Sequence, residues 1–256
     1  MNILEKIVAR KKVEVAELKQ RGFHHPSAFD SSKRRSLAAS LSQKPHPRVI
    51  AEVKKASPSA GLLAADFDPL SLATAYEKGG AAALSVVTDK HFFQGDISWL
   101  AALRSLVELP LLRKDFIIDP LQVYESRAAG ADAILLIAAI LSQDELRELL
   151  EIAVDQGLEC LVEVHDEEEL GKVLSTPAAI IGINNRNLKD FSINLETTLR
   201  LQKLIPKDRL VVSESGIDQH VQLVRLAAAG VQGVLVGTSL VKAGDKAEKL
   251  RELIQG

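Results

Sequence analysis

Little in this chain is extreme, and each shortage excludes something. Cys160 is the single cysteine among 256 residues, so no intrachain disulfide forms. It lies in an apolar run, where a thiol packs as a small inert hydrophobe, and it is not read as a nucleophile. Aromatic residues are 4% of the chain, and none interrupts the basic stretch Lys33-Arg34-Arg35, which reads as a solvated loop. With a formal net charge of −2, the chain lacks the field that a nucleic-acid or acidic-membrane binder needs. Long hydrophobic runs are missing too: the longest, from Ala133 to Leu141, is about half of what a membrane-spanning helix requires. The amino terminus carries charge by Glu5 and Lys6 and lacks the apolar stretch of a secretory leader, so a cytoplasmic location is expected. Gly (15) and Pro (9) occur at ordinary levels, which excludes collagen-like and low-complexity chains.

What is present is a steady rhythm. From about residue 48 onward, short aliphatic runs alternate with helical patterns, and no linker is long enough to separate domains. The runs cover 49–53, 83–87, 109–113, 133–137, 159–163, 179–183, 210–214 and 233–237. Several are apolar almost throughout, as parallel strands covered on both faces should be. Between them apolar residues recur every three or four positions, for example Leu146, Leu149, Leu150 and Val154, or Val221, Val224, Ala227 and Ala228. Ala129-Gly130-Ala131 and Ala229-Gly230-Val231 precede similar strands, a sign of repetition. Eight evenly spaced β/α units without a dinucleotide fingerprint predict a single α/β domain over 1–256, a closed (β/α)8 barrel of the TIM type. Residues 1–47 are surplus to it. They contain an amphipathic helix near Ile3 to Leu18 and a polar stretch with Pro26, Pro45 and Pro47, and are expected to form a helical extension capping the barrel mouth.

In such barrels the reacting groups project from the carboxyl ends of the strands. The first strand ends Glu52-Val53-Lys54-Lys55-Ala56-Ser57, and period-two alternation puts Glu52 and Lys54 on one side. The third ends at Lys114, the fifth at Glu163, the sixth at Asn184-Asn185-Arg186 and the seventh at Glu214-Ser215-Gly216. Lysines and glutamates converging on one mouth suit proton transfer without a metal. Gly216, Gly237 and Thr238 follow the seventh and eighth strands, the usual phosphate location in this fold. His165 with Asp166 to Glu169 resembles a metal cluster, but acidic residues in a helix's first turn are favoured by its dipole, and no metal is expected. His91-Phe92-Phe93 at the second strand end fits core packing or contact with a ligand ring.

These residues resemble the indole-3-glycerol-phosphate synthase family of tryptophan biosynthesis. The likeness is carried by Ile50-Ala51-Glu52-Val53-Lys54-Lys55-Ala56-Ser57-Pro58-Ser59, Leu112-Arg113-Lys114-Asp115-Phe116, Leu161-Val162-Glu163-Val164, the stretch from Ile181 to Leu188, Ser213-Glu214-Ser215-Gly216-Ile217 and Gly237-Thr238-Ser239-Leu240. It implies conversion of 1-(o-carboxyphenylamino)-1-deoxyribulose 5-phosphate to indole-3-glycerol phosphate, carbon dioxide and water by a cofactor-free lyase, taken here as a monomer. By resemblance Lys114 is the general acid, Glu163 serves the dehydration, and Lys54 grips the substrate carboxylate as a second candidate donor. Glu52, Asn184 and Glu214 surround the ribulose and the lysines. Ser57, Arg186 and Ser215 contact substrate, Phe93, Phe116 and Leu135 receive the benzene ring, and Gly216, Gly237 and Thr238 grip the phosphate. Asn187 stands where Asp is also common, and Thr238 where Ser is more familiar. A shorter isomerase of the same pathway, acting on phosphoribosylanthranilate, and a catalytically silent sugar-phosphate barrel remain as alternatives.

Overall fold

Runs of Val, Ile, Leu and Ala with no polar face become parallel strands, because only a sheet covered on both sides buries them completely. The structure, a computed structural model, describes residues 3–22, 34–45, 47–187 and 190–256. Its barrel strands are β1 (Arg48–Val53), β2 (Ala83–Val87), β3 (Leu111–Lys114), β4 (Ala133–Ile137), β5 (Glu159–Val164), β6 (Ile180–Asn184), β7 (Leu210–Glu214) and β8 (Gly233–Val236). Each pairs with its neighbour in sequence, and β8 returns to β1 through Val49↔Val234 and Ala51↔Val236, closing the (β/α)8 barrel. Strand β3 begins at Leu111, two residues later than its apolar run, since Pro110 has no N–H for the ladder. The Pro110 carbonyl still accepts from Leu84 N at 2.9 Å.

Alternation along the strands sets what faces what. Ile50, Leu112, Leu135, Leu161, Ile180, Val212 and Leu235 pack together inside the barrel. Ala51, Leu111, Ile134, Val162, Ile181, Val211 and Val234 belong to the outer core against the helices. Two residues beyond the inward set lie Glu52, Lys114, Ile137, Glu163, Gly182, Glu214 and Gly237, so the next inner layer carries four charged side chains beside two glycines and Ile137.

The helices are α1 (Ile3–Arg21), α2 (Leu37–Ser42), α3 (Pro69–Lys78), α4 (Lys90–Phe93), α5 (Ser98–Leu106), α6 (Pro120–Ala128), α7 (Gln143–Asp155), α8 (Glu167–Leu174), α9 (Glu196–Leu201), α10 (His220–Ala228), α11 (Thr238–Lys242) and α12 (Lys246–Gln255). Two of the expected apolar stripes are displaced. In α10 Val221 and Val224 are exposed while Leu223 and Leu226 are buried, and α7 exposes Val154 and buries Ala153. In α10 two interleaved stripes satisfy the three-and-four spacing, and the larger leucines remove more apolar area from water. Cys160 is buried, and burial pushes its thiol up to about 12, so it is inert at neutral pH.

The described part of the extension divides between the two ends of the barrel, with α1 at the mouth and α2 at the other end. Helix α1 buries Ile7, Lys11, Val15 and Leu18 on one face, and its Ile3, Leu4 and Ile7 line the mouth cavity. Helix α2 closes the opposite end, where the inner aliphatic layer would otherwise meet water. Leu37 and Leu41 pack on Ile50, Ala83, Leu112, Ile180 and Val212. Polar ties fix α2 there: Ser36 Oγ donates to Glu159 Oε1 at 2.6 Å, Ala38 N donates to Glu159 Oε2 at 2.9 Å, and Ser40 Oγ donates to the Ala82 carbonyl at 2.6 Å. Arg35 is bound to the Leu109 carbonyl at 3.1 Å and to Glu108. Pro26, Lys33 and Leu188, singled out in the sequence, lie outside the described residues.

Candidate active site

Where the inner layer turns polar, the barrel opens into a cavity of about 750 Å³. All fifteen residues proposed from the sequence line it: Glu52, Lys54, Ser57, Phe93, Lys114, Phe116, Leu135, Glu163, Asn184, Arg186, Glu214, Ser215, Gly216, Gly237 and Thr238. Sequence reading placed the amino-terminal helix over the mouth without naming Ile3, Leu4 and Ile7 as lining residues, and it missed Phe191, Ile193 and Lys242.

The charges are arranged around one ammonium. Lys114 Nζ lies 3.4 Å from Glu163 Oε2 and 3.3 Å from Glu214 Oε2, and Lys54 Nζ is ion-paired with Glu52. Burial on its own would pull the Lys114 pKa down, but Glu214, Glu163 and Glu52 outweigh it and hold the amine protonated, well above the ordinary lysine value. The two carboxylates differ in company. Glu163 Oε1 accepts from Asn184 Nδ2 at 3.2 Å and faces His165 Nε2 at 3.3 Å. Burial favours its neutral form, yet Lys114, His165 and Asn184 together hold Glu163 far below the carboxylate range. Glu214 Oε1 has no hydrogen-bond partner among the described residues. Burial and the neighbouring Glu163 charge therefore prevail over Lys114 and raise Glu214 to about 7. One ammonium thus stands between an ionised carboxylate and one poised to carry a proton.

His165, set aside in the sequence as part of an acidic first turn, buttresses the ionised member. Its Nδ1 lies 3.0 Å from Glu169 Oε2, and its backbone N–H donates to the same oxygen at 2.8 Å. Burial would lower its pKa, but the flanking carboxylates of Glu163 and Glu169 raise it to about 10. Among the described residues no group of three or more His, Cys, Asp or Glu is set to hold a metal ion.

The walls follow from local turns. After β1, a short hairpin pairs Ala56–Ser57 with Gly61–Leu62 and brings Ser57 to the rim. Asp89 caps α4 through the backbone N–H groups of Phe92 and Phe93, at 2.7 and 3.1 Å, and the Phe93 ring stands 6.0 Å from that of Phe116. After β7, Ser215 and Gly216 have φ of +68° and +78°. A left-handed Ser costs about 1–3 kcal/mol and persists only where the surroundings enforce it. Asn185 enforces it, donating from Nδ2 to the carbonyls of Glu214 and Ser215 at 2.9 and 3.1 Å. Asn184 Oδ1 accepts from Arg186 N at 3.0 Å, and the Arg186 guanidinium reaches the Phe191 carbonyl at 3.2 Å. Gly237 precedes α11, which opens at Thr238; the first N–H groups of a helix have no acceptor within it.

The family model described as indole-3-glycerol phosphate synthase matches residues 4–253. Relatives named indole-3-glycerol phosphate synthase include those of Desulfotalea psychrophila, 49% identical over 98% of both chains, and Acetivibrio thermocellus, 44% identical over 98% of both. Among solved structures, 3-hexulose-6-phosphate synthase from Salmonella typhimurium superposes with a TM-score of 0.66 at 12% identity, over 80% of this chain and 96% of that one. A tryptophan synthase complex structure from Pyrococcus furiosus gives 0.59 at 16%, over 81% and 97%. At such identities these structures speak for the barrel alone. Sequence similarity along nearly the whole length goes further: the chain belongs to the indole-3-glycerol phosphate synthase family, decarboxylating lyases of tryptophan biosynthesis.

Proposed function

We propose that this barrel closes the indole ring of 1-(o-carboxyphenylamino)-1-deoxyribulose 5-phosphate with Lys114 as proton donor, Glu163 as base and Lys54 as anchor of the substrate carboxylate. The observation that carries this reading is the Lys114 ammonium held between Glu163 and Glu214 at the floor of a cavity large enough for the substrate. The ring carbon bearing the carboxylate attacks the ketone, and Lys114 protonates the ketone oxygen as the carbon–carbon bond forms. Carbon dioxide then leaves, and its bonding electrons restore the benzene ring. Loss of the new hydroxyl as water, with a proton taken by Glu163 from the carbon beside nitrogen, completes the indole. A carboxylate far below its usual pKa takes up a proton only transiently, so the adjacent Lys114, His165 and Asn184 serve to keep it available as a base.

Phe93, Phe116 and Leu135 form the ring subsite, and Ser57, Arg186 and Ser215 contact the rest of the chain of atoms. Gly216, Gly237 and Thr238 grip the phosphate, Glu52 holds Lys54, and Glu214 and Asn184 orient Lys114 and Glu163. Helix α1 caps the mouth. The scheme needs no cofactor, and we place the enzyme in the cytoplasm as a monomer. Incubation with the carboxyphenylamino ribulose phosphate tests it: indole absorbance and fluorescence should rise with release of carbon dioxide. Absence of both at saturating substrate overturns the reading.

A further inference from the structure

The amphipathic pattern of α1 places a lysine on its buried face. Lys11 is 2% exposed, among the hydrophobic residues Ile7, Val15 and Leu18. An ammonium taken out of water is retained only where several partners meet it. Three do. Its Nζ lies 2.8 Å from Glu14 of the same helix, 3.0 Å from Asp89 and 2.7 Å from Asp115.

The two aspartates are themselves buried, and each is spent on one aromatic residue of the cavity. Asp89 Oδ1 accepts from the backbone N–H groups of Phe92 and Phe93, while its Oδ2 faces Lys11. Asp115 Oδ1 accepts from Phe116 N at 2.8 Å and faces Lys11 with the same oxygen. Its Oδ2 is held by Thr88 Oγ1 at 2.6 Å and by Arg113. Thus one charge on α1 is shared between the carboxylates that fix the backbone of Phe93 and the backbone of Phe116. We propose that Lys11 is a positioning residue, through which α1 sets the gap between the Phe93 and Phe116 rings and so the fit of the substrate's benzene ring. This rests on reading Phe93 and Phe116 as the ring subsite.

A lysine that served only as structural glue would weaken every part of the site alike. Lys11 as positioned here acts on one subsite. The gap lies at one wall of the cavity, whereas Gly216, Gly237 and Thr238 belong to the β7 and β8 ends, which Lys11 does not touch. The two arms of the test are therefore two fragments of the substrate, 2-aminobenzoate for the ring and inorganic phosphate for the other end, titrated separately into the full-length enzyme.

Lys11→Met should weaken 2-aminobenzoate binding by about tenfold while phosphate affinity stays within about twofold, as expected of a wall moved by a fraction of an ångström. Phe93→Ala should weaken the ring fragment similarly, and the double variant should be little worse than either single one. Lys11→Arg, which keeps the charge, should recover part of the loss. Asp89→Asn keeps a side-chain cap for α4 but removes the charge facing Lys11, and should show the same selectivity if Lys11→Met fails to fold. Unchanged 2-aminobenzoate affinity in the lysine variants and in Asp89→Asn, or equal losses for both fragments, overturns the role of Lys11. Unchanged affinity in Phe93→Ala, with Lys11→Met weakened, overturns the ring subsite instead and with it the gap as the route of the effect.

Discussion

A methyl group on Gly237 would lie well inside contact distance of Glu52 Oε2 and so collide with it. The glycine that follows β8 therefore leaves room for a protein carboxylate as well as for any approaching phosphate, and Lys54 Nζ lies within 3.1 Å of the same point. Gly182 stands in the same relation to Glu214, whose Oε1 would lie well inside contact distance of an added methyl group. Both glycines keep acidic groups of the inner layer seated.

Gly237→Ala should therefore injure chemistry more than phosphate binding. Displacing Glu52 shifts Lys54, and misplacement of about 1 Å can cost about 10²-fold in rate. The check is kcat/KM beside the affinity for inorganic phosphate; equal losses in the two would show that the anion grip is what the glycine serves.

Lys114→Met removes the proton and keeps the length. It should fold, bind substrate and lose about 10²–10⁴ in kcat. Glu163→Gln should also slow turnover with little change in affinity, whereas Lys54→Met should affect both kcat and KM. Near-normal kcat for Lys114→Met at saturating substrate would falsify its role as the acid.

The pH dependence of stability isolates Glu214. With its pKa raised from 4.5 to about 7, the folded chain holds this proton more tightly than the unfolded chain does. That contribution is fully present below the unfolded value and is lost as pH rises through the folded one. Gln does not titrate, so the unfolding free energy of Glu214→Gln should gain on wild type between about pH 5 and about pH 8. Denaturant unfolding across this range measures the difference, and a constant offset contradicts the raised pKa.

The divided extension separates two truncations. Removing residues 1–33 leaves α2 in place and should raise KM in a folded barrel; an unchanged KM sinks the capping role of α1. Removing residues 1–47 also uncovers the aliphatic layer at the other end and should abolish cooperative unfolding. Leu41→Ala is a milder version, expected to cost about 2–5 kcal/mol by denaturation, as for a fully buried leucine.

Much of this was legible in the residues themselves, for physical reasons. Aliphatic runs without a polar face announce parallel strands, and period-two alternation carries Ile50 to Glu52 and Lys54, and Leu112 to Lys114. Other features depend on partners far along the chain. Lys11 reads as one more charge on an amphipathic helix until Asp89 and Asp115 are brought against it. Glu163 and Glu214 are the same residue type at equivalent strand ends, and their opposite pKa shifts come from Asn184 and His165 standing beside one of them. The seat of Leu37 and Leu41 was illegible because two leucines in a short helix fit either end of a barrel equally well.

Leu37 and Leu41 make the barrel a cul-de-sac. Among the described residues, substrate, carbon dioxide, water and the phosphorylated indole share the doorway bordered on one side by Ile3, Leu4 and Ile7. Departure is consequently queued: the small molecules freed at the bottom must slip past the organic product or wait behind it. Any change that stiffens α1 over that doorway should lengthen the stay of product as much as it hinders the arrival of substrate.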